Sequence, residues 1–117
     1  REAIALAVAG INACDYCASA HSAISASLKV APEEIARHLN GRSSIPRLGA
    51  LLALARAVTE KRGRIGDGDL AVARDAGVSD AEVVEVIGVV TANIFTNYLN
   101  HAFDTEIDFP VVRAQAA

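Results

Sequence analysis

Two cysteines, Cys14 and Cys17, stand three positions apart, and His21 follows four positions later. On a helix of about 3.6 residues per turn, these spacings bring all three side chains to one face, each a turn from the next. A lone buried cysteine is ordinarily a small hydrophobe, and a lone histidine on an apolar stripe is ordinarily a hydrogen-bonded core residue. Together, at the start of a helix, they describe a thiol redox site. A sulfur in the first turn meets backbone N–H groups that have no helical partner, so negative charge is favoured there and the thiol becomes more acidic. Cys14 is nearest that end. Cys17 lies a turn deeper, where His21 at i+4 takes its proton directly or through a water and makes it the nucleophile.

Reduction of a peroxide needs a thiolate to attack one oxygen, a proton donor for the departing alkoxide or hydroxide, and a second thiol to capture the sulfenic acid. Cys17, His21 and Cys14 supply these in turn. The cycle closes when an external dithiol reduces the Cys14–Cys17 disulfide by exchange. Two other readings use the same residues. A general dithiol–disulfide oxidoreductase needs only the cysteine pair. A non-enzymatic domain would hold zinc with Cys14, Cys17 and His21, but zinc wants a fourth ligand, and three donors from two helical turns make an awkward tetrahedron.

The elements that must position this face are helices. Arg1 to Ala9 is rich in Ala, Gly10 interrupts it, and Asn12 is placed to cap a second helix beginning near Ala13. Cys14, Cys17, His21, Ile24 and Leu28 form the buried stripe of that second helix. Pro32 opens a third helix running to about Leu39, with Asn40-Gly41 as its stop, and Pro46 opens a fourth whose apolar face is Leu48, Leu51, Leu52, Ala55 and Val58. After a break from Gly63 to Gly68, Asp69 to Ala76 is a short fifth helix closed by Gly77. Ser79 with Glu82 is a capping box for a long last helix to about His101, which reads as the structural spine, and Gly88 within it suggests a close helix crossing. The segments Val30 to Ile35 and Val78 to Val83 share the pattern V-[AS]-x-x-E-[IV] and with it the same chemistry at a helix start. The tail from Asp104 to Ala117 contains Pro110 and reads as irregular or docked on a neighbour. Asn93, Asn97, Asn100 and His101 lie near one face of the last helix and read as packing or subunit contacts rather than as pocket lining; His38 reads as a solvated residue near helix-end carbonyls.

Composition narrows the function classes. Across 117 residues, 52% are hydrophobic but only 4% aromatic, which suits closely packed helices in one small domain rather than a β-sandwich. The net charge is −3 and the 11 Lys and Arg form no arm or stripe, so nucleic acid is not the expected partner. No apolar run reaches the eighteen or so residues of a membrane span, and no leader pattern is present, so a cytoplasmic protein is expected. The chain contains no Met and opens inside a helix, so residues upstream of the single 1–117 domain are expected.

The string from Glu2 to His21 has the form E-x(11)-C-x-x-C-x-x-x-H, with Asn12 two positions before the first cysteine. It closely resembles the core of the AhpD-like alkylhydroperoxidases of the carboxymuconolactone decarboxylase superfamily, and the closing Asn100 to Pro110 resembles the end of its peroxidase-related members. The resemblance implies an all-α orthogonal bundle of about six helices and a homo-oligomer, trimer or hexamer. It implies an antioxidant thiol peroxidase with no bound cofactor, acting on hydrogen peroxide or organic hydroperoxides and served by a lipoyl-type or thioredoxin-type dithiol protein. It also implies roles: Cys17 peroxidatic, Cys14 resolving, and Glu2 with His21 a proton relay. Some members carry a further relay histidine between the cysteines, where this chain departs with Tyr16. Decarboxylase members generally lack the cysteine pair. For Glu2 to serve, the chain must turn back, since an unbroken helix from Glu2 to Cys14 would span about 18 Å. The turn is expected at Gly10 to Asn12, burying the Glu2 carboxyl beside the thiols.

Overall fold

The computed structural model describes residues 1–114, in which six helices and no strand occur: α1 (Glu2–Asn12), α2 (Asp15–Ser27), α3 (Pro32–Leu39), α4 (Pro46–Glu60), α5 (Asp67–Asp75) and α6 (Asp80–Ala102). The fold is the all-α bundle expected. Residues 115–117 of the expected tail lie outside the described residues.

The centre of the bundle is α1, not α6. Every residue from Ile4 to Ala9 is buried, and the helix packs against α2, α3, α4 and α6. A short helix that is apolar all round must be enclosed to be stable, and four neighbours enclose this one. Its small Ala side chains let those neighbours approach closely. The α4 face is the expected one, with Leu52, Ala55 and Val58 buried and Leu48 and Leu51 packed at the edge.

The turn after α1 differs in detail from the expected one. The helix continues through Gly10 and Ile11 to Asn12, and the chain reverses at Ala13, whose φ of 54° is left-handed. Ala13 N–H donates to the Gly10 carbonyl at 3.4 Å and Cys14 N–H to the Ala9 carbonyl at 3.0 Å, closing the helix end with two bonds. Gly10 is needed for another reason: a Cβ there would lie 2.2 Å from the Leu39 carbonyl oxygen, so only glycine lets the end of α3 dock on α1. Asn12 caps nothing at α2; that position belongs to Cys14.

The two similar helix starts behave differently. At α6 the capping box forms as expected, with Glu82 N–H on Ser79 Oγ at 3.2 Å and Ser79 N–H on Glu82 Oε1 at 3.1 Å. At α3 the corresponding position is Ala31, which has no side-chain acceptor. Glu34 instead accepts from the Ser43 hydroxyl, from Ser44 N–H at 3.0 Å and from Arg37 at 3.1 Å, tying the following loop to the helix. These donors, the Ser43 hydroxyl foremost, pull the Glu34 carboxyl down to about 2. His38 is a partner in this knot: its Nε2 lies 3.1 Å from Glu34 and the side chain is buried, so the solvated position expected for it is wrong. α5 begins two residues before the expected Asp69, whose carboxylate accepts from Gly66 N–H at 3.1 Å.

Among the described residues no helix is long and apolar enough to cross a membrane.

Candidate active site at the start of the second helix

The reversal at Ala13 places Cys14 at the N-cap of α2, where its Sγ accepts the Cys17 N–H at 3.3 Å. Serine and aspartate oxygens usually hold this position. Here a sulfur does, next to the positive end of the helix dipole. Cys14 and Cys17 are joined as a disulfide across a Cα–Cα distance of 5.3 Å. His21 stands one further turn along the same face.

The antiparallel return of α1 along α2 brings Glu2 to His21. The carboxylate Oε2 lies 2.5 Å from His21 Nδ1, with the Glu2 and His21 side chains 29% and 23% exposed. A carboxylate has only acceptors to offer, so Nδ1 carries the proton toward Glu2 and the neutral ring keeps Nε2 as its basic atom. The expectation that Glu2 comes within reach of the constellation holds, but the carboxyl is not buried beside the thiols as anticipated. It is partly exposed, and its partner is the histidine. Both side chains line a cavity of about 660 Å³ with Ala5, Val89 and Asn93. Gly88 lines the same cavity, and a Cβ built on it meets no atom within 4 Å, so it marks an open wall and not the expected helix crossing.

The α6 asparagines have separate roles. Asn97 is fully buried and accepts from Asn12 Nδ2 at 3.0 Å, the packing contact expected. Asn100 instead donates from Nδ2 to Cys17 Sγ at 3.4 Å, and His101 Nε2 lies 3.3 Å from the Ala13 carbonyl. Asn100 is the site residue that sequence reasoning undervalued. Its signal was there, a polar residue recurring every three or four positions along an otherwise apolar helix.

Both sulfurs are shielded, Cys14 at 1% and Cys17 at 3% exposure. The cover is the chain's own tail. Ala114 packs with Cys14, Cys17, Ala9 and Ala18, and Val112 lies at the edge of this cluster. Val112 N–H donates to Ser19 Oγ at 2.8 Å, while the two oxygens of Asp15 accept from Ala114 N–H at 2.8 Å and Arg113 at 2.9 Å. The Ala114 N–H first, and then Arg113, hold the Asp15 carboxyl below its ordinary value. Tyr16 faces this tail too, edge-on to Phe109 at 5.9 Å. Loss of solvent around the phenol, and then Asp108, push its pKa above the usual tyrosine value. Tyr16 therefore serves the cover, on the side of the helix that packs against the tail.

Removing the Asp15 anchor is expected to expose the disulfide. Asp15→Ala should speed reduction by a small thiol about tenfold, the equivalent of one charged hydrogen bond's net worth of roughly 1.5 kcal/mol. Low pH should expose the disulfide likewise, read with a phosphine reductant, since a thiol reductant has too little thiolate in acid. Because the folded-state value is depressed, the anchor's stabilisation is complete above an ordinary carboxyl value of about 3.9 and is lost as pH falls through the lower folded value. Stopped-flow disulfide reduction checks both; equal rates for variant and parent would show that the tail does not control access.

Zinc held by Cys14, Cys17 and His21 would need two free thiolates and a fourth ligand. The thiols are paired with each other. Among the described residues no group of three or more His, Cys, Asp or Glu side chains is placed to hold a metal ion.

No curated protein sequence matches the chain. The sequence model of the carboxymuconolactone decarboxylase family matches residues 1–60. That stretch runs through α4 and contains Glu2, both cysteines and His21, and the chain belongs to the carboxymuconolactone decarboxylase family.

Proposed function

We propose that this chain is a thiol peroxidase of the AhpD-like alkylhydroperoxidase branch, reducing hydrogen peroxide or organic hydroperoxides. The observation that carries this reading is the Glu2–His21 pair, one turn along α2 from a cysteine pair already joined as a disulfide. His21 Nε2 takes the Cys17 proton. The thiolate attacks the terminal peroxide oxygen, the O–O bond breaks, and the alkoxide leaves as alcohol with the proton returned from His21. Cys17 is then a sulfenic acid. The Cys14 thiol gives up its proton as its sulfur attacks that of Cys17, the expelled hydroxide takes this proton and leaves as water, and the disulfide forms. An external dithiol, of lipoyl or thioredoxin type, attacks this disulfide and returns two electrons and two protons. We place this cycle in the cytoplasm, where such dithiols are kept reduced.

A general dithiol–disulfide oxidoreductase is favoured by one observation, the sulfur of Cys14 at the helix N-cap. The two readings separate on turnover with a small organic hydroperoxide and a reduced lipoyl compound. The peroxidase consumes hydroperoxide and dithiol one for one; an exchange protein consumes dithiol only when a disulfide substrate is supplied, at the same rate with or without peroxide.

We also infer assembly into a homo-oligomer, a trimer or hexamer, through α6. Val84, Ile87, Phe95, Tyr98 and Phe103 are large apolar side chains exposed along that helix and its end. A monomer rarely leaves so continuous a row in water. A second copy of the same chain covers this row. Sedimentation should give a trimer or larger that Phe95→Lys dissociates, and a monomer at micromolar concentration would contradict the assignment.

A further inference from the structure

We propose that Asn100 is a catalytic residue of this site, the donor that stabilises negative charge on the Cys17 sulfur. Its purpose rests on the peroxidase reading above, but its physical effect does not.

The need for such a donor follows from burial. A thiolate at 3% exposure has lost nearly all its water, and desolvation favours the neutral thiol. The two sulfurs are compensated differently. Cys14 has a backbone donor, the Cys17 N–H, at the N-terminus of α2. Cys17 is the source of that N–H and receives none of it. Among the hydrogen bonds of the described residues, the donor to its own Sγ is the Asn100 amide at 3.4 Å. An amide does not titrate, so this donor is present at every pH at which the enzyme works. It serves both halves of the cycle, in attack by the Cys17 thiolate and in release of that thiolate when the reductant's sulfur bonds to Cys14 and the S–S electron pair passes to Cys17.

The amide is held on a rigid support. One turn before it, Asn97 is buried and bonded to Asn12; immediately after it, His101 reaches the Ala13 carbonyl. Both contacts clamp α6 to the α1–α2 reversal that positions the cysteines, so Asn100 and Cys17 are fixed in one frame, 83 residues apart in sequence. The side chain comes from a helix, not a loop, which suits a donor that must stay aimed at a single atom.

The test is ultraviolet titration of the thiolate in single-cysteine proteins. With Cys14→Ser, leaving only Cys17, Asn100→Ala should raise the Cys17 pKa by about one pH unit, the loss of a hydrogen bond to a charged group. With Cys17→Ser, leaving only Cys14, the same change should leave the titration where it was. Asn100→Asp, nearly isosteric, removes the donor without emptying the site and should raise the Cys17 value at least as far. Thr96→Ala alters an exposed neighbour on the same helix, whose hydroxyl bonds the Asn93 carbonyl, and should shift neither sulfur. No shift at Cys17, an equal shift at Cys14, or the same shift from Thr96→Ala would overturn the proposal. No peroxide enters these titrations, so a Cys17-specific shift in a protein with no peroxide turnover would preserve the role of Asn100 and remove the peroxidase reading.

Discussion

Cys17→Ser is expected to abolish peroxide consumption, whereas Cys14→Ser is expected to consume one equivalent and stop with an oxidised Cys17. The asymmetry follows from position. Cys17 is the sulfur one turn from His21 and in contact with Asn100, while Cys14 sits at the helix cap with backbone N–H for company. The Cys14 variant is structurally mild, since serine is itself a preferred N-cap residue and its hydroxyl can take the Cys17 N–H. Loss of turnover there reports lost chemistry and not a frayed helix. Mass spectrometry after dimedone trapping reads the outcome: the adduct belongs on Cys17, and an adduct on Cys14 in the Cys17→Ser protein, with peroxide consumed, would reverse the two roles.

His21→Ala is expected to slow the peroxide step near neutral pH by roughly 10²-fold to 10⁴-fold, the usual worth of a positioned acid–base group. Glu2→Gln should cost less, about tenfold, because glutamine still accepts from Nδ1 and what is lost is one charged hydrogen bond of roughly 1.5 kcal/mol. The Glu2 effect should vanish in the His21→Ala background, since the carboxylate's partner in the fold is the imidazole at 2.5 Å. Additive losses in the double variant would mean that Glu2 acts on the sulfurs or the substrate by another route, and the relay would be wrong.

The alignment of Cys14, Cys17 and His21 and the approach of Glu2 to His21 were legible because helical periodicity and a recurring motif both reported on them. Ile24 and Leu28, expected on the same buried stripe, are instead exposed where α2 runs past its neighbours. The i, i+3, i+7 spacing of Cys14, Cys17 and His21 needs only a helix, and the six-helix fold follows from composition and capping signals such as Ser79–Glu82. Glu2 was within reach once a reversal was required, but the residue making it was misplaced. Ala13 takes the left-handed conformation, and Gly10 is reserved for the Leu39 carbonyl, a contact between α1 and α3 that no local pattern announces. His38 failed for the same reason: its burial depends on Glu34 reaching the loop at Ser43 and Ser44, a tertiary fact. The central place of α1 was hidden by its shortness, because a long apolar helix such as α6 looks like a spine until packing shows which helix is surrounded. Asn100 and the tail over Asp15 are 83 and 98 or more residues from their partners, beyond the range of any motif.

The most direct measurement is a single-turnover titration of the fully reduced protein with hydroperoxide under anaerobic conditions, counting free thiols and mapping the product. The account predicts that one equivalent of hydroperoxide removes both thiols of each chain, yields one equivalent of alcohol, and leaves the Cys14–Cys17 disulfide seen in the fold. Thiols that survive an excess of hydroperoxide, or that are lost without forming this disulfide, would contradict it.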